Sequence, residues 1–187
     1  MIARARSTPA TYDDLRALAP NLVGEIIGGV LHASPRPAFP HAAATSAIGE
    51  ELGPPFKRGK GGPGGWVILD EPELHFADDV VVPDLAGWRR DRMPERPETP
   101  FTTLAPDWLC EVLSPSTQKL DRGEKLPLYA RERVTHVWLV DPLAQYLEEL
   151  RLDGETYRIV TTFTGDAKVR AEPFDAIELD LAILWAR

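Results

Sequence analysis

Cysteine is nearly missing from this chain. Cys110 is the only one in 187 residues, which excludes an internal disulfide and any cysteine-based zinc site. An unbroken apolar run of the roughly 18 residues that a membrane span needs is also missing. Met1–Pro9 has no apolar stretch of the kind at the centre of a secretory signal. The expected setting is therefore cytoplasmic, with no membrane partner. Positive charge is in short supply as well: 21 Lys and Arg stand against 29 Asp and Glu, a formal net charge of -8. A surface of that sign does not attract nucleic acid as a whole, so a phosphate-bearing partner requires a local basic strip or metal ions. No GxGxxG or GxxxxGK[ST] run opens a helix after a strand, which argues against a doubly wound nucleotide-binding fold.

Proline, by contrast, is abundant, and much of it lies in Gly53–Gly65 and Met93–Pro106. Both segments read as loops, because proline removes amide donors and glycine weakens regular structure. The rest reads as one α/β domain over residues 1–187, with its core at about 11–163. Thr11 and Asp14 resemble a capping box opening a short helix over Tyr12–Ala19, which Pro20 ends. Gly28-Gly29 joins two strands, Glu25–Ile27 and Val30–His32, in a tight hairpin. In His41–Leu52 the residues Ala44, Ile48 and Leu52 fall on one helical face. Strands are expected at Trp66–Leu69, Leu74–Phe76, Val80–Ala86, Trp108–Leu113 and His136–Val140, with a helical stretch within about Gln118–Arg131. The step from Trp108 through that helix to Val140 is long enough to cross over between parallel strands. Asp153-Gly154 joins a hairpin of Tyr146–Leu152 and Glu155–Thr162, and Phe174–Trp185 fits either a strand or a short helix.

Two acids stand out because an ionised carboxylate in a mostly apolar strand costs several kcal/mol unless it is paired, hydrogen-bonded or bound to a cation. Glu111 sits within the Trp108–Leu113 run and Asp84 closes the Val80–Val82 run. If those strands are neighbours, the two carboxylates converge on one patch. Oxygen ligands at low count suit Mg²⁺ or Mn²⁺ completed by substrate phosphates, and the implied chemistry is phosphodiester hydrolysis. Val112 faces away from Glu111 and offers only its main-chain carbonyl. Side chains two apart on a strand share a face, so position 113 lies beside Glu111 and would supply a cation next to the metal, but that residue is leucine. The following helix offers Lys119 and Lys125; Asp121, Lys125 and Tyr129 share one face, which favours Lys125.

Together, Val82-Pro83-Asp84-Leu85, the run Glu111 to Thr117, Asp121 with Lys125 and Tyr129, and Val137 to Pro142 resemble the signature of a large bacterial family of restriction-endonuclease-like proteins. That family belongs to the PD-(D/E)XK nuclease superfamily. The resemblance extends over roughly Thr11 to Tyr157 and takes in the hairpin from Gly24-Glu25 and His41. It implies a mixed β-sheet flanked by helices and a Mg²⁺-dependent DNA endonuclease. Carried over residue by residue, it makes Asp84 and Glu111 the metal ligands, Lys125 the lysine displaced from position 113, and Glu25 an auxiliary acid. Two positions depart from the pattern. Pro127 falls inside the helix carrying Lys125: a start near Glu124 or Lys125 would place it in the first turn, whereas a cap at Asp121 would place it deeper. Arg133 stands where the family usually has glycine.

Other residues invite blander readings. Ser114 lacks a nucleophile elbow and reads as a turn and cap, and His41 at a helix start reads as structural or exposed. Lys57-Arg58-Gly59-Lys60 and Arg89-Arg90-Asp91-Arg92 flank the Asp84 strand and are candidates to track a phosphate backbone. A catalytically silent scaffold that binds DNA or a protein, and a metal-free hydrolase pairing Glu25 with Glu111, are the rival readings. A homodimer is expected, since cutting two strands suits two equivalent sites.

Overall fold

The computed structural model of the chain describes residues 2–4 and 8–186. Its strands are β1 (Ile2–Arg4), β2 (Leu22–Ile27), β3 (Val30–Pro35), β4 (Trp66–Asp70), β5 (Glu73–Phe76), β6 (Asp79–Val81) and β7 (Leu85–Arg89). After these come β8 (Phe101–Thr102), β9 (Trp108–Val112), β10 (His136–Asp141), β11 (Tyr146–Asp153), β12 (Thr156–Thr164), β13 (Lys168–Val169) and β14 (Leu179–Asp180). The central sheet has the order β12-β11-β10-β9-β7-β4, a second sheet runs β1-β3-β2-β6-β5-β8, and β13 pairs with β14. Only β9 and β10 are parallel in the central sheet, in the register Glu111 to Leu139, so the expected crossover is present and the fold is mixed α/β.

Both faces of the central sheet are covered, which is why its middle strands read as nearly continuous apolar runs. Alternation sends Trp108, Cys110 and Val112 to one side, against α2 (Phe39–Leu52) and Phe174. Leu109 and Leu113 point to the other side, against Leu128 and Tyr129. Ala44, Ile48 and Leu52 are the buried residues of α2, the three that its spacing predicts. Phe174 stands among Phe56, Trp66, Trp108 and Trp138 with ring centroids 4.6 to 5.6 Å away. Gly87 makes room for this cluster, since a Cβ there would lie 3.1 Å from Trp108 and 3.3 Å from Trp66. No helix among the described residues is long and apolar enough to cross a membrane.

Several local expectations hold. Thr11 and Asp14 form the capping box of α1 (Tyr12–Arg16), though the helix ends before Ala19. Gly28 and Gly29 take φ of 58° and 75°, the conformation a two-residue hairpin turn demands. The tail contains both a short strand, β14, and a 3₁₀ turn over Leu181–Leu184.

Two expectations change in ways that matter for the site. Val80–Ala86 is not one strand. Pro83 cannot donate to a ladder, and the chain leaves β6 in one sheet, turns at Val82-Pro83-Asp84, and enters β7 in the other. Asp84 therefore sits where the two sheets part. The second change concerns Pro127. Helical backbone begins at α3 (Gln118–Leu120), widens into a π-turn over Asp121–Lys125, and continues as α4 (Leu126–Arg131). Neither a fresh start near Glu124 nor a cap at Asp121 occurs. The π-turn, in which Leu126 N–H donates to the Asp121 carbonyl, leads directly into Pro127, where the chain has no amide to give.

Candidate active site

Four different elements deliver the side chains of the site. Asp84 comes from the crossing between sheets, Glu111 from β9, Glu25 from β2, and Asp121 and Lys125 from the π-turn. Adjacency of β7 and β9, with Leu85 paired to Cys110, brings the first two acids to neighbouring positions. Val112 N–H donates to Asp84 Oδ2 at 2.7 Å, so the backbone next to Glu111 holds the Asp84 carboxylate. Glu25 Oε1 accepts from Val82 N–H at 2.9 Å, tying the β2–β3 hairpin to the same crossing.

Lys125 is the hub. Its Nζ lies 2.8 Å from Glu111 Oε1, 3.0 Å from Glu25 Oε1 and 3.7 Å from Asp121 Oδ1, and the side chain is 4% exposed. Tyr129, one turn on, donates its hydroxyl to Glu111 Oε1. Burial pulls the Lys125 ammonium down, but Glu111 and Glu25 outweigh it and leave its pKa well above the ordinary lysine value. It stays charged. Burial pushes the Glu111 carboxyl well above the usual carboxylate range, with Lys125 opposing and Asp121, Asp84 and Glu25 adding to the rise. Asp121 is raised to about 6, again chiefly by burial. Burial also raises the Tyr129 phenol, which keeps it a donor. His41 Nε2 lies 3.2 Å from Asp84 Oδ1. Burial lowers that imidazole, yet the hydrogen bond and charge of Asp84 prevail and raise it.

A cleft of about 330 Å³ is lined by Glu25, His41, Asp84, Glu111, Asp121 and Lys125 together with Glu71 and the Ser114–Thr117 turn. All four residues singled out in the sequence, Glu25, Asp84, Glu111 and Lys125, line this one space. Among the described residues, no three His, Cys, Asp or Glu side chains are already gathered as a metal cage. The donor chemistry nevertheless fits a hard divalent cation held by one or two carboxylates and completed by substrate phosphate. Five carboxylates, Glu25, Glu71, Asp84, Glu111 and Asp121, line the cleft with one lysine, and burial penalises the negative charge of Glu111 and Asp121.

The family model described as "Uma2: Putative restriction endonuclease" matches residues 9–183. The chain belongs to the Uma2 family. A crystal structure of a putative nuclease from Anabaena variabilis is similar to it, with a TM-score of 0.70 at 25% identity over 95% of this chain and 98% of that one. No curated protein matches the chain. Membership supports a nuclease.

Other candidates have settled roles. Lys119, the alternative lysine, is not among the residues lining the cleft. Ser114 hydrogen-bonds Ser116 and Thr117 at 3.0 and 2.9 Å, as a turn residue does. The Arg89–Arg92 cluster is engaged internally: Arg89 lies over the Trp66 ring, Arg90 donates to the Trp66 carbonyl, and Arg92 pairs with Asp107. Lys57 and Arg58 instead line a second cavity of about 490 Å³ along α2, which shares Pro37, His41, Glu71 and Asp84 with the acid cleft. Glu71 is the site residue that sequence reading missed. It precedes Pro72 with φ of 45°, a conformation costly for a non-glycine residue, and its position in an Asp-Glu-Pro turn carries no chemical signal.

Proposed function

We propose that this chain is a Mg²⁺- or Mn²⁺-dependent DNA endonuclease that hydrolyses phosphodiester bonds at the acid cleft. One observation carries the reading: Glu25, Asp84 and Glu111, drawn from three elements, meet in a single cleft with Lys125 buried between two of them. Asp84 and Glu111 are the residues that would hold the metal, with the Val112 carbonyl as a further oxygen. The bound cation supplies Lewis-acid charge to a phosphate oxygen and to the attacking water.

The chain's own groups do the rest. Val112 N–H fixes Asp84, leaving Oδ1 toward the cleft and His41. Tyr129 and Lys125 both bind Glu111 through Oε1, so the carboxylate is oriented before substrate arrives, which is the preorganisation that makes electrostatic catalysis effective. Lys125 is protonated throughout the neutral range and so serves as a fixed positive charge beside the reacting phosphate, not as a base. Glu25 keeps Lys125 in place from the opposite side.

Plasmid nicking tests this. Wild type should cut with Mg²⁺ or Mn²⁺ and stop in EDTA, while Asp84→Ala, Glu111→Ala and Lys125→Ala should each lose more than about a hundredfold. Equal cutting by all four proteins would refute the reading, and activity retained in EDTA would favour a metal-free pairing of Glu25 and Glu111. The proposed assembly is a homodimer presenting two equivalent clefts, which sedimentation velocity would detect as a doubled mass.

A further inference from the structure

This inference rests on the nuclease reading and concerns how the strand is held beside the acids. Phe39 is 92% exposed, the most exposed of the large apolar side chains among the described residues. It occupies the first turn of α2 between Pro37 and Pro40, whose rings restrict the backbone, so the aromatic ring is held out on a stiff support.

Its direction follows from the helix. Phe39, Ser46 and Glu50 are seven and eleven residues apart and share one face. Ser46 and Glu50 line the cavity along α2, while Pro37, Ala38 and His41 line the acid cleft. The two cavities share Pro37, His41, Glu71 and Asp84, and Phe39, outside both linings, lies in sequence between Ala38 and His41 and on the helix face of Ser46 and Glu50 that border them. Arg36, exposed and lining the same cleft, has no acidic partner among the described residues.

We propose that Phe39 stacks on a nucleobase of the substrate strand while Arg36 takes a neighbouring phosphate. An aromatic face accepts any base, and a guanidinium beside it matches the alternation of base and phosphate along a single strand. A second copy of the chain is the weaker occupant. A stable dimer buries about 800 Å² per partner, against the roughly 200 Å² of one phenyl side chain. The other exposed apolar residues, Leu143 and Ile159, belong to the β10–β11 turn and to the edge strand β12.

Fluorescence anisotropy with a nuclease-resistant phosphorothioate oligonucleotide in Mg²⁺ tests the proposal, comparing a base-bearing strand with an abasic strand of equal length. Phe39→Ala should weaken binding of the base-bearing strand about tenfold, the loss of one stack, and leave the abasic strand unaffected. Phe39→Trp should retain affinity. The slope of log affinity against log salt should be unchanged in Phe39→Ala and smaller by about one in Arg36→Ala. Equal losses on both strands, or no loss while wild type binds, would overturn stacking and leave the nuclease reading intact. A dimer that dissociates in Phe39→Ala with strand affinity unchanged would assign the ring to a second copy instead. Wild type that nicks plasmid but binds neither strand would overturn stacking alone, whereas wild type that does neither would remove both readings.

Discussion

Replacing Lys125 with methionine keeps the length and apolar body of the side chain but removes the ammonium that Glu111, Glu25 and Asp121 surround at 2.8, 3.0 and 3.7 Å. Glu111 and Asp121 are each 3% exposed, so water cannot replace the lost partner. Breaking a buried ion pair costs about 3–5 kcal/mol, which is a large share of a typical domain's stability. For a chain of this length it corresponds to a fall in Tm of about 6–20 °C. The cost should depend on pH. Asp121 has a folded pKa of about 6 against an ordinary 3.8, and Glu111 is also raised. Groups raised in this way bind protons preferentially in the folded state, so the penalty for burying their charge is absent below the unfolded value and grows as pH rises through the folded one. Lys125 is raised above 10.5, so its favourable contribution in wild type is constant below that value. The deficit of Lys125→Met measured by thermal unfolding in EDTA should therefore be largest at pH 8 and at least halved at pH 5. A variant as stable as wild type, or one with the same deficit at both pH values, would refute the reasoning that unpaired buried carboxylates dominate the cluster.

Arg133 takes φ of 63° at the end of α4 and donates Nη1 to the Gly154 carbonyl at 2.7 Å. Arg133→Gly should leave stability in urea unfolding within about 0.5 kcal/mol of wild type, because relief of the left-handed penalty offsets the lost contact, while Arg133→Ala, which loses the contact and keeps the penalty, should destabilise it by about 1 kcal/mol; the reverse ranking would sink this account. Phe174→Ala empties the ring cluster of Phe56, Trp66, Trp108 and Trp138 and should cost about 3–5 kcal/mol. It should also diminish the near-ultraviolet circular dichroism of the tryptophans, and a cost below about 1 kcal/mol would show that the cluster collapses around the gap.

Much of the site was legible because its signals are local. Glu111 is conspicuous as a charge in an apolar strand, and Asp121, Lys125 and Tyr129 share a helical face by spacing alone. Asp84 stands out as the acid closing the Val80–Val82 run, and the resemblance to restriction-endonuclease-like proteins strengthened it as a metal ligand and added Glu25. The hairpin at Gly28-Gly29 and the apolar face of α2 were readable for the same reason, since backbone period and turn chemistry act over a few residues. Arg133 illustrates the opposite case. The chain reaches the left-handed conformation without glycine because a contact 21 residues away compensates, and no local rule anticipates that. Nor does any local rule separate Arg89, Arg90 and Arg92, which are engaged internally, from Lys57 and Arg58, which line a cavity.

By itself, then, the order of residues settled the chemistry available: hard oxygen donors, two helix-borne lysines of which spacing favours Lys125, no internal disulfide, and strands too apolar to leave a carboxylate without a reason. Pro83 interrupts the Val80–Ala86 run locally, but only long-range packing decided that its two parts join different sheets, which places Asp84 at their junction. The π-turn before Pro127 was likewise decided there, as was the approach of Glu25 from a separate hairpin. Strand register and helix placement are set by burying whole faces at once. Distances between acids 27 or 59 residues apart along the chain therefore follow from the core and not from their neighbours in sequence.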